Sequence, residues 1–175
     1  MNRTQLEHII RAAAGNADAD DIVVVGSQAI LGSYPNAPTE LLESMEADVF
    51  PRDKPDDSIL IDGGIGELSP FHETFGYYAH GVADTTATLP EGWRERLVPI
   101  RNENTRGATG WCLEVHDLAV SKLIAGREKD LTFLAALFRH RLASPEIVRE
   151  RLGQIALPAG QSHAIALARL QRLLG

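Results

Sequence analysis

The feature that most constrains the fold is a continuous apolar run at residues 22–25, which ends directly at Gly26 and Ser27. Its isoleucine and valines are all β-branched, and such a run is typical of a strand that is buried on both faces. Glycine has no Cβ, so the chain can turn closely after the strand and begin a helix. The run therefore predicts an α/β fold with this strand inside a sheet.

A second strand is predicted at residues 45–50, where polar and apolar side chains alternate with period two. Glu46 and Asp48 then share one face, while Ala47 and Val49 share the other. Two carboxylates this close repel each other unless a positive charge lies between them. Hard cations such as Mg²⁺ prefer oxygen ligands. The strand is therefore either a metal site or an ordinary solvated edge.

The remaining pattern divides the chain into a mixed α/β part and a helical part. Further strands are predicted at residues 77–82, 96–100 and 111–115, and helices at 3–14, 58–66, 118–126, 128–142, 145–154 and 163–174. Pro158 and Gly160 are expected to end the helix before them. We expect an α/β core over residues 1–126 and a C-terminal helical segment over residues 127–175 that packs on it.

Charge and composition exclude several classes of protein. The net charge of −7 disfavours broad binding to nucleic acid, which needs clustered Lys and Arg. The single cysteine, Cys112, cannot form an internal disulfide. There is no apolar run of about 18 residues for a membrane span, no Walker or Gly-x-Ser-x-Gly sequence, and no His/Cys cluster for zinc. A cytoplasmic protein without a membrane segment is expected.

The order of the two motifs resembles the nucleotidyltransferase superfamily with the polymerase-β-type core. That superfamily carries Gly-Ser at a helix start, then two acidic residues one apart on the next strand, and Gly26-Ser27 and Glu46/Asp48 match by position. The resemblance implies a mixed β-sheet flanked by helices. It also implies that Gly26 and Ser27 bind nucleotide phosphates and that Glu46 and Asp48 hold Mg²⁺ or Mn²⁺.

The resemblance continues downstream, in the stretch HDLAVSKLIAGREKDL. Lys122 and the pair Lys129-Asp130 match the lysine and basic-aspartate pair of the abortive-infection, or type IV toxin, branch. That branch implies that Lys122 meets the nucleotide phosphates and that Asp130 serves the acceptor or acts as a base. An unbroken helix would also place Lys122 and Asp130 near one face. The stretches GELSPFHETFGYYAHGV and LPEGWRERL are similar to an uncharacterised bacterial family of nucleotidyltransferase-like proteins, over most of residues 20–152.

The sequence departs from the superfamily in its acidic residues. Glu46 stands where many members have aspartate, and the third carboxylate has no clear counterpart. Glu114, on the predicted strand 111–115, is the candidate for the third metal ligand. Asp117 is the alternative, although it is also the predicted N-cap of the helix that follows.

The resemblance implies an enzyme that moves a nucleoside monophosphate from a nucleoside triphosphate to a hydroxyl of an RNA, a protein or a small molecule. Its toxin branch further implies a bacterial toxin or defence component with a tRNA or protein acceptor and an antitoxin partner. The incomplete acidic set leaves open a second hypothesis, a catalytically weakened module that binds or regulates through a partner. A third hypothesis is a plain α/β domain whose motifs are coincidental.

Overall fold

A computed structural model describes residues 1–157 and 159–175. Pro158, one of the two residues predicted to end a helix, lies outside the described residues. The described chain is a mixed sheet flanked by helices, followed by further helices at the C-terminal end, as the sequence predicted. None of its helices, over the two ranges described, is long and apolar enough to cross a membrane.

The sheet places the apolar run at its centre. Its strands are β1 (Asp21–Val25), β2 (Glu46–Pro51), β3 (Tyr78–Gly81), β4 (Val98–Ile100) and β5 (Thr109–Cys112). Their order is β3-β2-β1-β5-β4. β1 runs antiparallel to β2 and parallel to β5, while β3 is parallel to β2 and β4 antiparallel to β5. Residues 22–25 are buried, which confirms the prediction of an internal strand.

Helices cover the sheet and build the C-terminal end. They are α1 (Arg3–Ala17), α2 (Ile30–Ser33), α3 (Ser58–Ile65), α4 (Pro70–Phe75), α5 (Val115–Ala125), α6 (Glu128–Arg139), α7 (Pro145–Gln154) and α8 (His163–Leu174). α1 contacts β1, β2, β3 and β5, and packs against α3. α5 packs against α2 and against α6, α7 and α8. The predicted boundary at residue 126 thus falls between two helices that pack on each other.

The end of the last strand differs from the prediction. β5 ends at Cys112, and α5 begins at Val115 with Glu114 as its N-cap. The Glu114 side chain accepts a hydrogen bond from the backbone N–H of His116 at 3.1 Å, which satisfies one of the free donors at the helix start. The last strand therefore exists, but it ends at Cys112 and not at residue 115, and the prediction of Asp117 as N-cap is wrong. A local side-chain cap takes the chain out of the sheet earlier than the apolar pattern suggests.

Candidate active site

The chain turns sharply where β1 ends, at Gly26. Gly26 has φ 67° and ψ −169°, a conformation that is essentially restricted to glycine. A Cβ built on Gly26 would also lie only 2.2 Å from Oδ2 of Asp48. Ser27 then begins a short 3₁₀ turn, Ser27–Ala29, that continues directly into α2. The predicted strand–turn–helix arrangement is confirmed. It places the backbone of Gly26, which has no side chain, against the carboxylate of Asp48 on β2.

The alternation along β2 separates its two faces as the sequence predicted. Ala47 and Val49 are fully buried, whereas the side chains of Glu46 and Asp48 remain 34% and 28% exposed. Asp48 lies opposite Val25, the last residue of β1, so the acidic face of β2 reaches the sheet edge where the Gly26 turn occurs. Both carboxylates are therefore accessible to a ligand that sits at this turn.

The neighbouring strand β3 supplies two more polar groups to the same face. Tyr78 lies opposite Glu46 and His80 opposite Asp48 in the parallel pairing. The Tyr78 hydroxyl donates to Glu46 Oε2 at 2.8 Å. Nδ1 of His80 lies 3.2 Å from Asp48 Oδ1 and 3.8 Å from Glu46 Oε1. Within the described part of the chain, Glu46, Asp48 and His80 are the residues whose ligand atoms, all within 4.8 Å of one another, can hold a metal ion.

Electrostatics at this group favour a bound cation. Burial raises the pKa of Asp48, the negative charge of Glu46 raises it further, and His80 offsets only part of the increase. Burial raises the pKa of Tyr78 to about 12, and its hydrogen bond to Glu46 acts in the same direction. Tyr78 therefore stays protonated and donates to Glu46. Two carboxylates under mutual repulsion are stabilised when a positive ion lies between them.

The predicted pair Lys122 and Asp130 forms a buried ion pair across a helix break. α5 ends at Gly126, which has φ 62°, so the two residues do not share one helix as an unbroken spacing would require. Lys122 Nζ nevertheless lies 2.9 Å from Asp130 Oδ1, and both side chains are at most 7% exposed. Arg127 donates from Nε to Asp130 Oδ2 at 2.6 Å, while its own side chain is 63% exposed.

Arg127 extends this ion pair to the surface, because it bonds to Asp130 while most of its own side chain is exposed. Its hydrogen bond to Asp130 raises the pKa of Arg127, and the negative charges of Asp48 and Glu46 contribute to the same increase. The guanidinium therefore lies within electrostatic reach of the two carboxylates of β2. One side of it is held by a buried aspartate, and the other is open to solvent.

This geometry does not suit Asp130 as a base. The side chain of Asp130 is fully buried, and both of its oxygens accept hydrogen bonds from Lys122 or Arg127. Burial alone would raise the pKa of Asp130, but these hydrogen bonds more than offset it and hold the pKa below its ordinary value. A carboxylate in this state is a weak proton acceptor. The arrangement instead suits a residue that positions the two cations.

Glu114 is not brought together with the acidic pair. Its carboxylate contacts Arg151 and lies 2.6 Å from Nδ1 of His116, in addition to capping α5. Burial would raise the pKa of Glu114, but its bonds to His116 and Arg151 lower it to about 2. The alternative, Asp117, is fully buried and pairs with Arg96 and Arg151, each at 2.8 Å. Both carboxylates are engaged in a structural network, so the third metal ligand predicted at either position has no support in the geometry.

The sequence reasoning missed three polar residues at the site, namely His80, Tyr78 and Arg127. The signal for the first two was present, because Tyr78 and His80 alternate on a short strand in the same way as Glu46 and Asp48. It could not be used without the pairing register of two strands that lie 32 residues apart. Arg127 looked like one charge in an exposed basic stretch, and only its bond to the buried Asp130 distinguishes it.

A mixed five-stranded sheet with an acidic pair beside a strand–glycine–serine turn defines the nucleotidyltransferase type of fold. The chain belongs to a family described as a nucleotidyltransferase of unknown function (DUF6036), whose family model matches residues 4–154. No curated protein and no solved structure matches the chain. Membership of this family argues against the hypothesis of a plain α/β domain.

Proposed function

We propose that this nucleotidyltransferase is a metal-dependent enzyme that transfers a nucleoside monophosphate from a nucleoside triphosphate to a hydroxyl of an RNA, a protein or a small molecule. The observation that carries the proposal is the contact between the Gly26 turn and Asp48. The possible metal-ligand atoms of Glu46 and His80 lie within 4.8 Å of that of Asp48 and of each other. Such a site combines backbone that a phosphate can approach closely with side chains that can bind a cation. A triphosphate needs both, because its oxygens take hydrogen bonds and its charge needs a bridging ion.

The donor set fits the divalent ion that this chemistry uses. Glu46 and Asp48 offer carboxylate oxygens, which Mg²⁺ and Mn²⁺ accept. The missing Cβ of Gly26 lets Asp48 Oδ2 lie directly against the backbone of the turn. We therefore assign Glu46 and Asp48 as the residues that hold Mg²⁺ or Mn²⁺. Bound there, the ion supplies neutralisation of the triphosphate charge and of the charge that develops during transfer.

The remaining residues bind and orient the triphosphate. In the proposal, the backbone at Gly26 and the Ser27 hydroxyl hold the β- and γ-phosphates. Arg127 supplies an exposed guanidinium, whose planar fork can bind phosphate oxygens in pairs. Asp130 holds Arg127 in place, and Lys122 neutralises Asp130 while adding a buried positive charge. Positioning and electrostatics of this kind provide most of the acceleration in phosphoryl transfer.

The transfer step breaks one phosphorus–oxygen bond and forms another. The acceptor hydroxyl oxygen attacks the α-phosphorus, and the bond between the α-phosphorus and the bridging oxygen to the β-phosphate breaks. Pyrophosphate leaves with that bonding pair. The hydroxyl proton leaves to solvent, which reaches the half-exposed carboxylates of Glu46 and Asp48.

The setting that we propose is a bacterial toxin or defence module with an antitoxin partner and a tRNA or protein acceptor. This part follows from the likeness of Lys122 and Asp130 to the lysine and the basic-aspartate pair of the toxin branch. Expression of the wild-type chain is then expected to arrest growth, and expression of Asp48→Asn to leave growth unchanged. Equal growth with both chains would contradict the toxin role without bearing on the transfer chemistry.

Nucleotide binding is the direct test of the site. Isothermal titration of ATP, CTP, GTP and UTP into the protein with Mg²⁺ is expected to give binding for at least one of them. Asp48→Asn is expected to lose that binding, because it removes a metal ligand while keeping the shape of the side chain. Absence of binding for all four nucleotides in both Mg²⁺ and Mn²⁺ would overturn the proposal.

A catalytically weakened module that binds or regulates through a partner is the second candidate. The observation that favours it is the acidic set: within the described residues, no third carboxylate joins Glu46 and Asp48. The two candidates differ in turnover. A module binds a nucleoside triphosphate and releases it unchanged, whereas the enzyme releases pyrophosphate when an acceptor is present.

A further inference from the structure

We propose that His80 is a third metal ligand beside Glu46 and Asp48, and that its imidazole makes the site prefer first-row transition ions such as Mn²⁺ to Mg²⁺. The inference rests on the metal part of the proposed function. It concerns the third metal ligand, which was predicted at Glu114 or Asp117, whereas the structure groups His80 with Glu46 and Asp48.

The distances within the group suit a shared ion. Two ligand atoms that each lie about 2.1 Å from one ion are about 3 Å apart at a right angle and about 4 Å apart on opposite sides. Nδ1 of His80 lies 3.2 Å from Asp48 Oδ1 and 3.8 Å from Glu46 Oε1, within this interval. The three side chains can therefore bind one ion with little movement of the backbone.

The backbone holds these side chains in register. His80 and Asp48 are partners in the parallel pairing of β3 and β2, and Glu46 is the partner of Tyr78 one step along the same face. Tyr78 donates to Glu46 Oε2 at 2.8 Å, which leaves Glu46 Oε1 directed towards His80. An outer group that orients a ligating carboxylate is a common companion of metal sites. The His80 side chain is 51% exposed, so an ion from solvent can reach it.

The donor atoms decide which ion is preferred. Mg²⁺ is a hard cation that is bound through carboxylates, phosphates and water in near-octahedral geometry. Imidazole nitrogen is a common ligand of first-row transition ions, and affinity in that series rises from Mn²⁺ towards Cu²⁺. A set of two carboxylates and one imidazole therefore favours the transition ions. Mn²⁺ binds most weakly in this series. A preference for Mn²⁺ over Mg²⁺ is therefore a stricter test of the imidazole ligand than a preference for a later metal ion would be.

An ordinary ion pair is the competing explanation of the same contact. A histidine beside two carboxylates can simply relieve their repulsion when it is protonated. The two explanations differ in their effect on metal binding. A histidine that only pairs with Asp48 competes with the ion, so its removal strengthens metal binding or leaves it unchanged. A histidine that ligates the ion weakens binding when it is removed.

The test measures metal binding without nucleotide and without turnover. Mn²⁺ is titrated into the metal-free full chain, and free Mn²⁺ is followed by its electron paramagnetic resonance signal, with Mg²⁺ added as a competitor. His80→Ala is expected to weaken Mn²⁺ binding by at least about tenfold, since even outer-shell losses cost about 10–100-fold. His80→Asp supplies an oxygen in place of nitrogen, so it is expected to lower the ratio of Mn²⁺ to Mg²⁺ affinity while it retains Mg²⁺ binding.

His72→Ala is the matched control. His72 is another partly exposed histidine, whose ring lies 4.6 Å from that of Tyr78, but it is not a member of the metal-ligand group. It is expected to bind Mn²⁺ like the wild type. An unchanged affinity ratio in both His80 variants, or no Mn²⁺ binding by the wild type, overturns the inference. Nucleotide binding in Mg²⁺, measured separately, then shows whether the proposed function survives that failure. Circular dichroism checks the fold of each variant, and His80→Asp decides the question if His80→Ala does not fold.

Discussion

Gly26 combines a backbone conformation that suits only glycine with a close contact to Asp48. Alanine variants at Gly26 and at a second glycine can separate the two effects. Gly26→Ala places a methyl group 2.2 Å from Asp48 Oδ2 in a conformation that suits only glycine. We expect the substitution to lower the free energy of unfolding by about 2–4 kcal/mol, because backbone strain and the steric clash act together. We also expect it to abolish nucleotide binding. Urea unfolding and nucleotide titration measure the two effects.

Gly76→Ala is the control for that variant. Gly76 has φ 73° at the end of α4, but a Cβ built there meets nothing within 4 Å. It is expected to cost only about 1–2 kcal/mol, the usual penalty of the left-handed conformation, and to bind nucleotide normally. If the two alanine variants lost the same stability and kept the same binding, the contact between Gly26 and Asp48 would have no part in the site.

The pKa of Asp48 has a consequence for stability. Because that pKa is raised in the folded state, the folded protein holds the proton more tightly than the unfolded chain does. The stabilising contribution of this group is therefore complete below its ordinary pKa of 3.8 and is lost as the pH rises through the folded pKa. At neutral pH the metal-free site is destabilised by its own charge.

Asp48→Asn is expected to be more stable than the wild type at pH 7 without metal, by up to about 1 kcal/mol, the scale of half-exposed charge pairs. Unfolding at pH 4 and pH 7 measures this gain, which should shrink at the lower pH. Added Mn²⁺ or Mg²⁺ should reverse the order, because an ion that binds only the folded wild type stabilises it. A variant that is less stable than the wild type at both pH values would contradict the raised pKa.

At the residue scale, local pattern identified the acidic pair but not the role of Glu114. Alternation along a strand depends on neighbouring residues only, and it placed Glu46 and Asp48 on one face correctly. Glu114 looked like the last acid of a strand. Its carboxylate instead caps α5 and contacts Arg151, which lies 37 residues further along the chain. The cap is a local contact, whereas the contact with Arg151 depends on the fold of the whole chain.

At the scale of elements, the junction of α5 and α6 depends on the ion pair between Lys122 and Asp130. Asp130→Asn is expected to destabilise the protein by about 3 kcal/mol or more, because it leaves the buried Lys122 without a compensating charge. The double variant Lys122→Met with Asp130→Leu replaces both charges by apolar groups, and it is expected to recover most of that stability. Denaturant unfolding of Lys122→Met, Asp130→Leu and the double variant measures the coupling.

The double variant also separates structure from catalysis. It keeps the fold but no longer holds Arg127, so nucleotide transfer is expected to stay low while stability returns. Recovery of both transfer and stability would show that neither charge takes part in the chemistry. Equal unfolding midpoints for Asp130→Asn and the wild type would instead contradict the buried ion pair.

The sequence pattern indicated the pair Lys122 and Asp130, but it did not indicate His80. A spacing of eight residues would place Lys122 and Asp130 near one face of an unbroken helix, although separate helices were predicted over residues 118–126 and 128–142. They do meet, but across the break at Gly126, because α6 folds back on α5. His80 was not assigned to the site, since it joins β2 only through the register of β3. Strand register is set by packing over the whole sheet, which a single sequence does not display.

At the scale of the whole molecule, the strand order explains why the site lies where it does. β1 and β2 are neighbours, so the Gly26 turn and the acidic pair meet at one edge, and β3 adds His80 beside them. Arg127, at the junction of α5 and α6, is held by the buried Asp130. The negative charges of Asp48 and Glu46 contribute to its raised pKa. The chain carries a net charge of −7, so under the proposed function the metal ion and Arg127 would add a local positive charge to an acidic chain. A single triphosphate suits this local charge better than a long nucleic acid does.

The most direct measurement of the central claim is transfer of label from a nucleoside triphosphate. The purified protein is incubated with a cell extract and with each triphosphate, labelled in one series at the α-phosphate and in another at the γ-phosphate, in Mg²⁺ and in Mn²⁺. Nucleotidyl transfer predicts that α-label appears on an RNA, a protein or a small molecule, that γ-label is released in pyrophosphate, and that Asp48→Asn does neither. Transfer of γ-label to the acceptor, or α-labelling that persists undiminished in Asp48→Asn, would contradict the account.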